Sequence, residues 1–453
     1  MINERKVFNF LSLVVSALLV SSCGIRDLKH DTEKVVQNYG FFKGEVGGVN
    51  QGSNVVVGLF KRDGEELTPF YIRSASPGIP FYIPVPVKDA DDMDVHYTVA
   101  AFSDSNGDFS YQPSEPAIRF DDPIINRFND LDKKEEIDYK ALKVQPINLT
   151  SKKKLDDDLD FSLNSPETVS WVDERFSDEN VTLGMWQPSS FFEKEIGYQL
   201  YALKKFDPTK RTIVLVHGIN DSPLVFESLV KANAIPEDYQ LLLYYYPSAV
   251  SLELTSHLLS AALNDLIRRN DKIPQLDILA HSMGGLVSKG MILQLTELNE
   301  VAHQRMNLFI SIASPFGGHA GAQVGLDWSN WSPAIARSWF AMAPDSRYLT
   351  AIAKLDLSKI LNHHLIFTYS HEKDGKSKGD DGVVTVKSQL IESAQYNATA
   401  MYGIADNHVD AVSNPCTLKL VTAVLQDSST RARIPNCGAA DASPVSPDTA
   451  PVD

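Results

Sequence analysis

A serine lies between an apolar run and two glycines in the segment LDILAHSMGG, residues 276–285. The run is typical of a buried strand, and a helix is predicted to begin near Met283. A sharp strand-to-helix turn needs small residues on both sides, and Ala280 and Gly284 meet that need, although the usual pattern has Gly at the first position. Such a turn presents a serine hydroxyl as a nucleophile, so Ser282 is the first candidate for covalent catalysis.

A second apolar run, RTIVLV, leads directly into His217, Gly218 and Ile219. A serine that attacks a carbonyl creates an oxyanion, which fixed backbone N–H groups stabilise without a reorganisation cost. The predicted donors are the N–H groups of Ile219 and Met283. His217 is predicted to be structural, because it lies at a strand end and not in the acid or base position.

An acid and a histidine follow the serine along the chain. The segment GDDGVV supplies Asp380 and Asp381, and DNHVD supplies His408. The histidine would take the proton from Ser282 and return it to the leaving group, while the acid orients the imidazole. Asp381 is the chosen acid and Asp380 its rival. The chain order serine, acid, histidine is the one that a nucleophile elbow requires.

The remaining histidines have no predicted catalytic role. His363, His364 and His371 precede the acid, which is the wrong order, and they are predicted to be structural. His319 lies in a stretch where it could touch the pocket, yet no role is forced on it.

Strands and helices alternate over residues 191–427. Strands are predicted at RTIVLV, LLLYYYP, LDILA, LFISIAS and HLIFTYS, and leucines at helical spacing mark a helix near residues 254–266. Continuously apolar strands separated by helices indicate a mainly parallel sheet that is covered on both faces. In such sheets functional groups gather at the carboxyl ends of the strands. The predicted fold class of this catalytic domain is therefore α/β.

The segments VHG, AHSMGG, DDGVV and NHVD together resemble the α/β-hydrolase superfamily and are most similar to bacterial triacylglycerol lipases and related esterases. The resemblance implies the α/β-hydrolase fold and ester hydrolysis by Ser282, Asp381 and His408. It favours Asp381 over Asp380, because the aspartate of a matching DG-V segment is the triad acid in those lipases. Some of them place a calcium ligand two residues after the histidine, where this chain has Asp410. No second ligand is identifiable from the sequence, so no metal and no cofactor are predicted.

The stretch between residues 313 and 344 follows a core strand and is rich in aromatic residues, namely Trp328, Trp331, Trp339 and Phe340. Two interpretations stay open at this stage. The stretch caps the active site and suits an acyl chain, or its aromatic side chains simply pack the domain.

The N-terminal part of the sequence has a different pattern of predicted secondary structure. Short β-rich runs separated by turn signals predict a small β-sandwich domain over residues 51–120. Pro84 and Pro86 indicate an edge strand. Residues 121–190 are rich in charge and are predicted to be an exposed connector.

The first residues are typical of an export signal. An apolar stretch at 7–20, too short to span a bilayer, follows a basic head and precedes VSSC. This arrangement resembles the bacterial lipoprotein signal, with residues 1–22 removed, Cys23 lipidated and residues 23–50 acting as a tether. Gly24, rather than Asp, points to the Gram-negative outer membrane. The alternative is an ordinary cleaved signal with an incidental cysteine.

Cys416 and Cys437 are the two cysteines that remain after Cys23. In an oxidising compartment they are predicted to form a disulfide near the C-terminal tail, residues 428–453, and two free thiols are the alternative.

The chain has 453 residues, which favours more than one domain, and its net charge of −16 argues against nucleic acid as a partner. The predicted partners are a lipid or ester substrate and a membrane, the latter through the N-terminal anchor. The combined hypothesis is a lipid-anchored serine hydrolase that cleaves carboxylic esters through an acyl-enzyme. The alternatives are a deacylase or thioesterase acting on lipidated partners, and a surface binding lipoprotein whose hydrolase domain is inactive.

Overall fold

The computed structural model describes residues 28–31, 34, 38–88, 93–127, 139–150, 154–155, 159–161, 165–194, 198–298, 300–328, 336–370 and 379–429. The predictions made for Cys23, Trp331, His371 and Cys437 lie outside these residues. Cys416 is described and buried, but its predicted disulfide partner is not, so the disulfide stays a prediction.

Two sheets form the N-terminal domain. Their strands are β1 (Tyr39–Gly47), β2 (Asn54–Asp63), β3 (Glu66–Ala75), β4 (Phe81–Pro86), β5 (His96–Asp104), β6 (Ala117–Asp121), β7 (Ile125–Arg127) and β8 (Gln145–Asn148). One sheet has the order β4-β1-β7 with β8 beside β1, and the other has the order β3-β2-β5-β6. An apolar cluster draws on both sheets, with Phe42 and Val46 from one and Val57 and Val99 from the other. The two sheets therefore pack face to face, and β4 with its two prolines lies at an edge.

The boundaries of this domain differ from the predicted ones. Residues 39–47, predicted as part of a tether, form β1, because Phe42 is buried between the two sheets and Phe41 is buried against the helix at residues 252–269. Residues 121–190, predicted as a connector, contain β7 and β8, and Leu155 and Phe161 pack against the second sheet. Short apolar runs inside charged sequence account for both differences.

The C-terminal body begins earlier than residue 191. Its strands are β9 (Glu167–Thr168), β10 (Gln199–Ala202), β11 (Arg211–Val216), β12 (Tyr239–Tyr245), β13 (Leu276–His281), β14 (Met306–Ile312), β15 (Asn362–Tyr369) and β16 (Ala400–Ala405). Its first helices are α1 (Asp178–Trp186), α2 (Pro188–Glu193), α3 (Glu227–Lys231), α4 (Leu252–Arg269), α5 (Met283–Glu297) and α6 (Ala320–Trp328). The later ones are α7 (Arg337–Met342), α8 (Arg347–Ala353), α9 (Val386–Gln389), α10 (Glu392–Tyr396) and α11 (Pro415–Gln426).

These strands form one sheet of order β16-β15-β14-β13-β11-β12-β10-β9. From β16 to β12 all neighbours are parallel, while β10 is antiparallel to β12. The chain leaves β11 for β12 on one side and later returns to place β13 on the other. Loops at the carboxyl ends of β11 and β13 therefore meet at a switch point, which is where open α/β sheets bind ligands.

The β-sandwich packs on α4, which in turn packs on α5. The ring of Tyr82 stacks on His257 with centroids 3.7 Å apart, and the Ser74 N–H donates to the Asp265 carboxylate at 2.7 Å. The sandwich therefore supports the face of the catalytic domain that carries the nucleophile helix. Within the described part of the chain, no helix is both long and apolar enough to cross a membrane.

Candidate active site

Ser282 occupies the single residue between β13 and α5. Its backbone angles are φ 54° and ψ −128°, a conformation that L residues rarely adopt and that costs about 1–3 kcal/mol. The Ser282 N–H donates to the Ile312 carbonyl at 2.9 Å, and its own carbonyl accepts from Gly285 at 2.9 Å. The turn is thus held from both sides, and it aims the hydroxyl away from the sheet.

The small residues around the turn are required by close backbone approach. A Cβ placed on Gly284 would lie 2.1 Å from the Val216 carbonyl oxygen, and one placed on Gly218 would lie 2.9 Å from the Ser282 Cβ. The loop after β11 therefore runs directly against the serine, as the predicted nucleophile elbow demands.

The structure brings the three predicted residues together. The His408 Nε2 lies 2.8 Å from the Ser282 Oγ, and the His408 Nδ1 lies 2.8 Å from the Asp381 Oδ2. The His408 N–H also donates to the Asp381 carbonyl at 3.0 Å. Each residue follows the carboxyl end of a different parallel strand, namely β13, β15 and β16. A proton can pass along this line from a hydroxyl to an imidazole that a carboxylate orients.

Asp381 is held as a carboxylate. Burial acts to raise its pKa, but the hydrogen bonds from His408, the Thr368 hydroxyl and the Val384 N–H together bring the pKa below its ordinary value. The Gln389 amide also approaches the Oδ2 at 3.4 Å. An ionised acid at this position stabilises an imidazolium on His408.

Asp380 has a different environment. Its Oδ1 accepts the Gly382 N–H at 3.0 Å, and its backbone carbonyl accepts the Ser370 N–H. These bonds hold Asp380 to its own turn and to the end of β15, whereas the contact with His408 belongs to Asp381. The geometry therefore separates the two rivals that the sequence left adjacent.

The two predicted oxyanion donors flank the serine. Met283 is the first residue of α5, so its N–H has no acceptor within the helix. Ile219 lies in the β11 loop that passes Ser282. His217 fixes this loop, because its Nδ1 donates to the Gly218 carbonyl at 2.8 Å and its carbonyl accepts from the Tyr246 hydroxyl at 2.6 Å. Burial lowers the pKa of His217 to about 3, so it is a neutral structural residue.

The loop after β12 connects the oxyanion segment to the surrounding helices. The Ser248 hydroxyl accepts from the Asn220 N–H at 2.9 Å. Ala249 donates its N–H to the Gly184 carbonyl at 3.0 Å and accepts the Ser338 N–H at 3.2 Å. The ends of α1 and α7 are therefore attached to the loop that supports Ile219.

An apolar cluster lies beside the same loop. Met185, Ala249 and Ala336 are buried there, and three partly buried residues, Ile219 among them, pack on them. Trp186 and Trp339 are the other two. Of the aromatic residues predicted near the entrance, Trp339 also contacts the main core and Phe340 packs under the Arg337 guanidinium. Trp339 is therefore compatible with both interpretations of this stretch, because it packs in the domain core and also borders the loop that carries Ile219.

His363, His364 and His319 contact groups outside the triad. His363 contacts the Ser311 hydroxyl at 2.9 Å, and His364 contacts the Ser428 carbonyl at 2.9 Å. His319 lies near the site, where its Nε2 donates to the Val383 carbonyl at 2.9 Å. It therefore links α6 to the turn that carries Asp381.

Asp410 is exposed and lies two residues after His408. Its carboxylate accepts from the Asn407 side chain, and the described residues contain no group of three or more His, Cys, Asp or Glu side chains that could hold a metal ion.

Two residues near the site were missed by sequence reasoning. His281, next to the serine, contacts the His408 carbonyl through its Nε2 at 2.9 Å. Asp221, two residues after Ile219, lies 4.0 Å from the other ring nitrogen of His281. Their adjacency to predicted residues was the available signal, but nothing in the spacing joins position 221 to position 281.

Residues 208–343 match the family model described as "Putative serine esterase (DUF676)". None of the curated proteins compared with the chain matches it significantly. The chain is similar to the mature form of the Bacillus licheniformis lipase BlEst2 at 14% identity, covering 50% of this chain and 97% of that chain with a TM-score of 0.38.

Two further solved structures are similar at comparable levels. Aspergillus fumigatus lipase B is 15% identical over 51% of this chain and 56% of that chain, with a TM-score of 0.36. A hydrolase from Oleispira antarctica is 11% identical over 58% of this chain and all of that chain (100%), with a TM-score of 0.36. The matched residues include β11, Ser282 and α5, so the family match and the serine turn together support a serine ester hydrolase.

Proposed function

We propose that the protein is a lipid-anchored lipase that hydrolyses the carboxylic esters of lipids through an acyl-enzyme on Ser282. The observation that carries the proposal is the pair of 2.8 Å contacts that joins Ser282 to His408 and His408 to Asp381. A serine hydroxyl becomes a useful nucleophile when an adjacent base removes its proton and a third group orients that base.

The reaction runs in two halves. His408 Nε2 takes the Ser282 proton as the Oγ bonds to the acyl carbon, and the carbonyl oxygen becomes an oxyanion facing the Ile219 and Met283 N–H groups. The imidazolium then protonates the departing alcohol as the ester C–O bond breaks, which leaves the acyl-enzyme. A water that loses its proton to His408 attacks the acyl carbon, and the returned proton restores Ser282 as the carboxylic acid leaves.

Two electrostatic features of the fold stabilise the charges that form during the reaction. Asp381 is ionised and therefore stabilises the imidazolium in both halves. The oxyanion lies at the N-terminus of α5, which has 15 residues, and the positive end of the helix dipole stabilises negative charge there.

The acyl chain is proposed to lie against the apolar cluster beside Ile219. This wall comes from three segments, with Met185 and Trp186 from α1, Ala249 from the β12 loop and Trp339 from α7. Burial of each methylene contributes about 0.8 kcal/mol, so a wall of this kind favours long acyl chains over short ones.

Trp339→Ala is expected to change the chain-length profile. Removal of the indole exposes part of the wall, so kcat/KM for p-nitrophenyl palmitate should fall by about tenfold relative to that for p-nitrophenyl acetate, equivalent to about two methylenes of lost contact. Trp171→Ala is the matched control, because Trp171 packs against a different cluster. Equal losses for both esters would place the acyl chain elsewhere. The same panel, extended to thioesters and amides, separates a lipase from a thioesterase or deacylase.

Contacts of the N-terminal residues Leu28 and Asp31 support the proposed lipid anchor. Leu28 and Asp31 are buried, and the Asp31 carboxylate accepts from the Ser189 N–H and hydroxyl at the start of α2. Cys23 is eight residues from Asp31, which bounds their separation at about 29 Å. Ser189 is three residues from Trp186. A lipid on Cys23 would therefore keep the proposed acyl wall close to the membrane.

Cys23→Ser is expected to release the protein from the membrane fraction of a Gram-negative host and to abolish incorporation of radiolabelled palmitate. Activity on a water-soluble ester should be retained by the released protein, since Cys23 has no part in the chemistry. Unchanged membrane association and labelling in this variant would contradict the anchor.

A further inference from the structure

A carboxyl group close to the proposed base has no part in the reaction described above. Asp221 follows Ile219 by two residues, and its side chain is 27% exposed. One oxygen, Oδ1, accepts the Ser222 N–H at 2.8 Å. The other, Oδ2, lies 4.0 Å from the His281 Nδ1.

His281 connects this carboxyl group to the base. Its side chain is almost completely buried, and its Nε2 lies 2.9 Å from the His408 carbonyl oxygen. A carbonyl oxygen only accepts, so the Nε2 carries a hydrogen and the Nδ1 of the neutral ring is an acceptor. Within the described residues this buried Nδ1 has no hydrogen-bond partner.

Two acceptors therefore face each other with no proton between them if Asp221 is ionised. A protonated Asp221 has an O–H that can reach the Nδ1, either through a shift of about 1 Å or through one bridging water. Burial raises the pKa of Asp221 to about 6 and lowers the pKa of His281 to about 3. At low pH the proton thus belongs to Asp221.

We propose that Asp221 and His281 form a partly buried acid–imidazole pair that shares one proton and acts as a positioning pair for His408. His281 holds the His408 main chain through its Nε2–H, and Asp221 adds a negative charge near the imidazole when the shared proton leaves. The inference rests on the proposed role of His408 as the general base.

Most ionisable groups around this pair keep the same charge near neutral pH. The ionisable groups around Asp221 and His281 come from four places. They are His217 after β11, Tyr245 and Tyr246 at the end of β12 and just after it, Asp381 after β15 and His408 after β16. Burial keeps the two tyrosines and His217 neutral, and Asp381 is ionised throughout. Among these groups, Asp221 is the one whose raised pKa, about 6, brings its change of charge towards neutral pH.

The sign of the effect follows from these charges. In the free enzyme, His408 must be neutral to accept the Ser282 proton. The value of kcat/KM therefore rises with pH along an acid limb. An ionised Asp221 favours the imidazolium, which moves the midpoint of that limb to higher pH and also stabilises the imidazolium formed during the reaction. Loss of the charge should move the midpoint down and lower the plateau.

Asp221→Asn tests this expectation, because asparagine keeps the shape, can accept from Ser222 and can donate to the His281 Nδ1. The acid limb of kcat/KM should move down by about one pH unit, and the plateau of kcat should fall by about three- to tenfold. Asp410→Asn is the charge-matched control, since Asp410 is an exposed carboxylate two residues after His408, and its profile should match that of the wild type. A wild-type midpoint in Asp221→Asn would overturn the proposal.

His281→Gln is the second variant, because a glutamine amide can still donate to the His408 carbonyl but has no basic ring nitrogen that could take up the proton of Asp221. The carboxyl group then ionises at lower pH, so the midpoint should stay or move up, opposite to the shift in Asp221→Asn. Equal midpoints in both variants would show a merely structural role. Ser282→Ala measured in parallel separates the two hypotheses. A fully active Ser282→Ala would refute the proposed function. An inactive Ser282→Ala, together with wild-type pH profiles in Asp221→Asn and His281→Gln, would refute only the pair.

Discussion

Replacement of Ser282 by alanine is expected to lower kcat for a chromogenic acyl ester by about a millionfold. The variant has no Oγ to bond the acyl carbon, so only the slow attack of water beside the oxyanion donors is left. The backbone strain at position 282 is the same for alanine as for serine, so the midpoint of thermal unfolding should change little.

Ser288→Ala is the matched control for this experiment. Ser288 is also buried, lies on the same helix α5, and donates its hydroxyl to the Gly284 carbonyl at 2.8 Å. It should keep the wild-type rate. A rate in Ser282→Ala that equals the wild-type rate would show that the nucleophile is another residue.

Asp381→Asn has the second-largest expected effect, a fall in kcat of about ten-thousandfold. The asparagine amide would donate to the His408 Nδ1, which moves the ring hydrogen to Nε2. A protonated Nε2 in a neutral ring points its hydrogen at Ser282 and cannot take the serine proton.

Asp380→Asn gives the comparison that the sequence alone left undecided. Its Oδ1 accepts only the Gly382 N–H among the contacts described for that side chain, and an asparagine oxygen can do the same. The variant should retain most of the activity. If Asp380→Asn were the inactive variant and Asp381→Asn the active one, the orientation of His408 would have to come from the other carboxylate.

Much of the site could be predicted because its chemistry follows strand ends. Ser282, Asp381 and His408 each come shortly after an apolar run that forms a parallel strand, and parallel strands align their carboxyl ends at one edge of the sheet. Residue type and chain order predicted all three residues, and predicted strands preceded Ser282 and Asp381, whereas β16 before His408 was not predicted from the sequence.

Other parts of the fold depend on contacts that the sequence does not encode locally. Phe41 and Phe42 lie in a segment with glycines and polar residues. The second sheet of the sandwich explains the burial of Phe42, and α4 explains that of Phe41. Met185 and Trp186 belong to a segment predicted as a connector, yet they pack beside Ile219.

The pair of Asp221 and His281 shows the same limitation inside the site. The two residues are 60 positions apart, and their proximity arises because β11 and β13 are neighbours in the sheet. Each appears in the sequence as an ordinary residue next to a predicted one. The orphaned Nδ1 of His281, which marks the pair, is visible only in three dimensions.

Labelling of the folded protein with a fluorophosphonate, followed by mass spectrometry of its peptides, tests the central assignment most directly. An activated serine attacks the phosphorus and keeps the label as a stable adduct. The expected result is one modified peptide, with the label on Ser282 and no labelling of Ser282→Ala or of unfolded protein. A folded wild-type protein that stays unlabelled, or a label on another serine, would contradict the account.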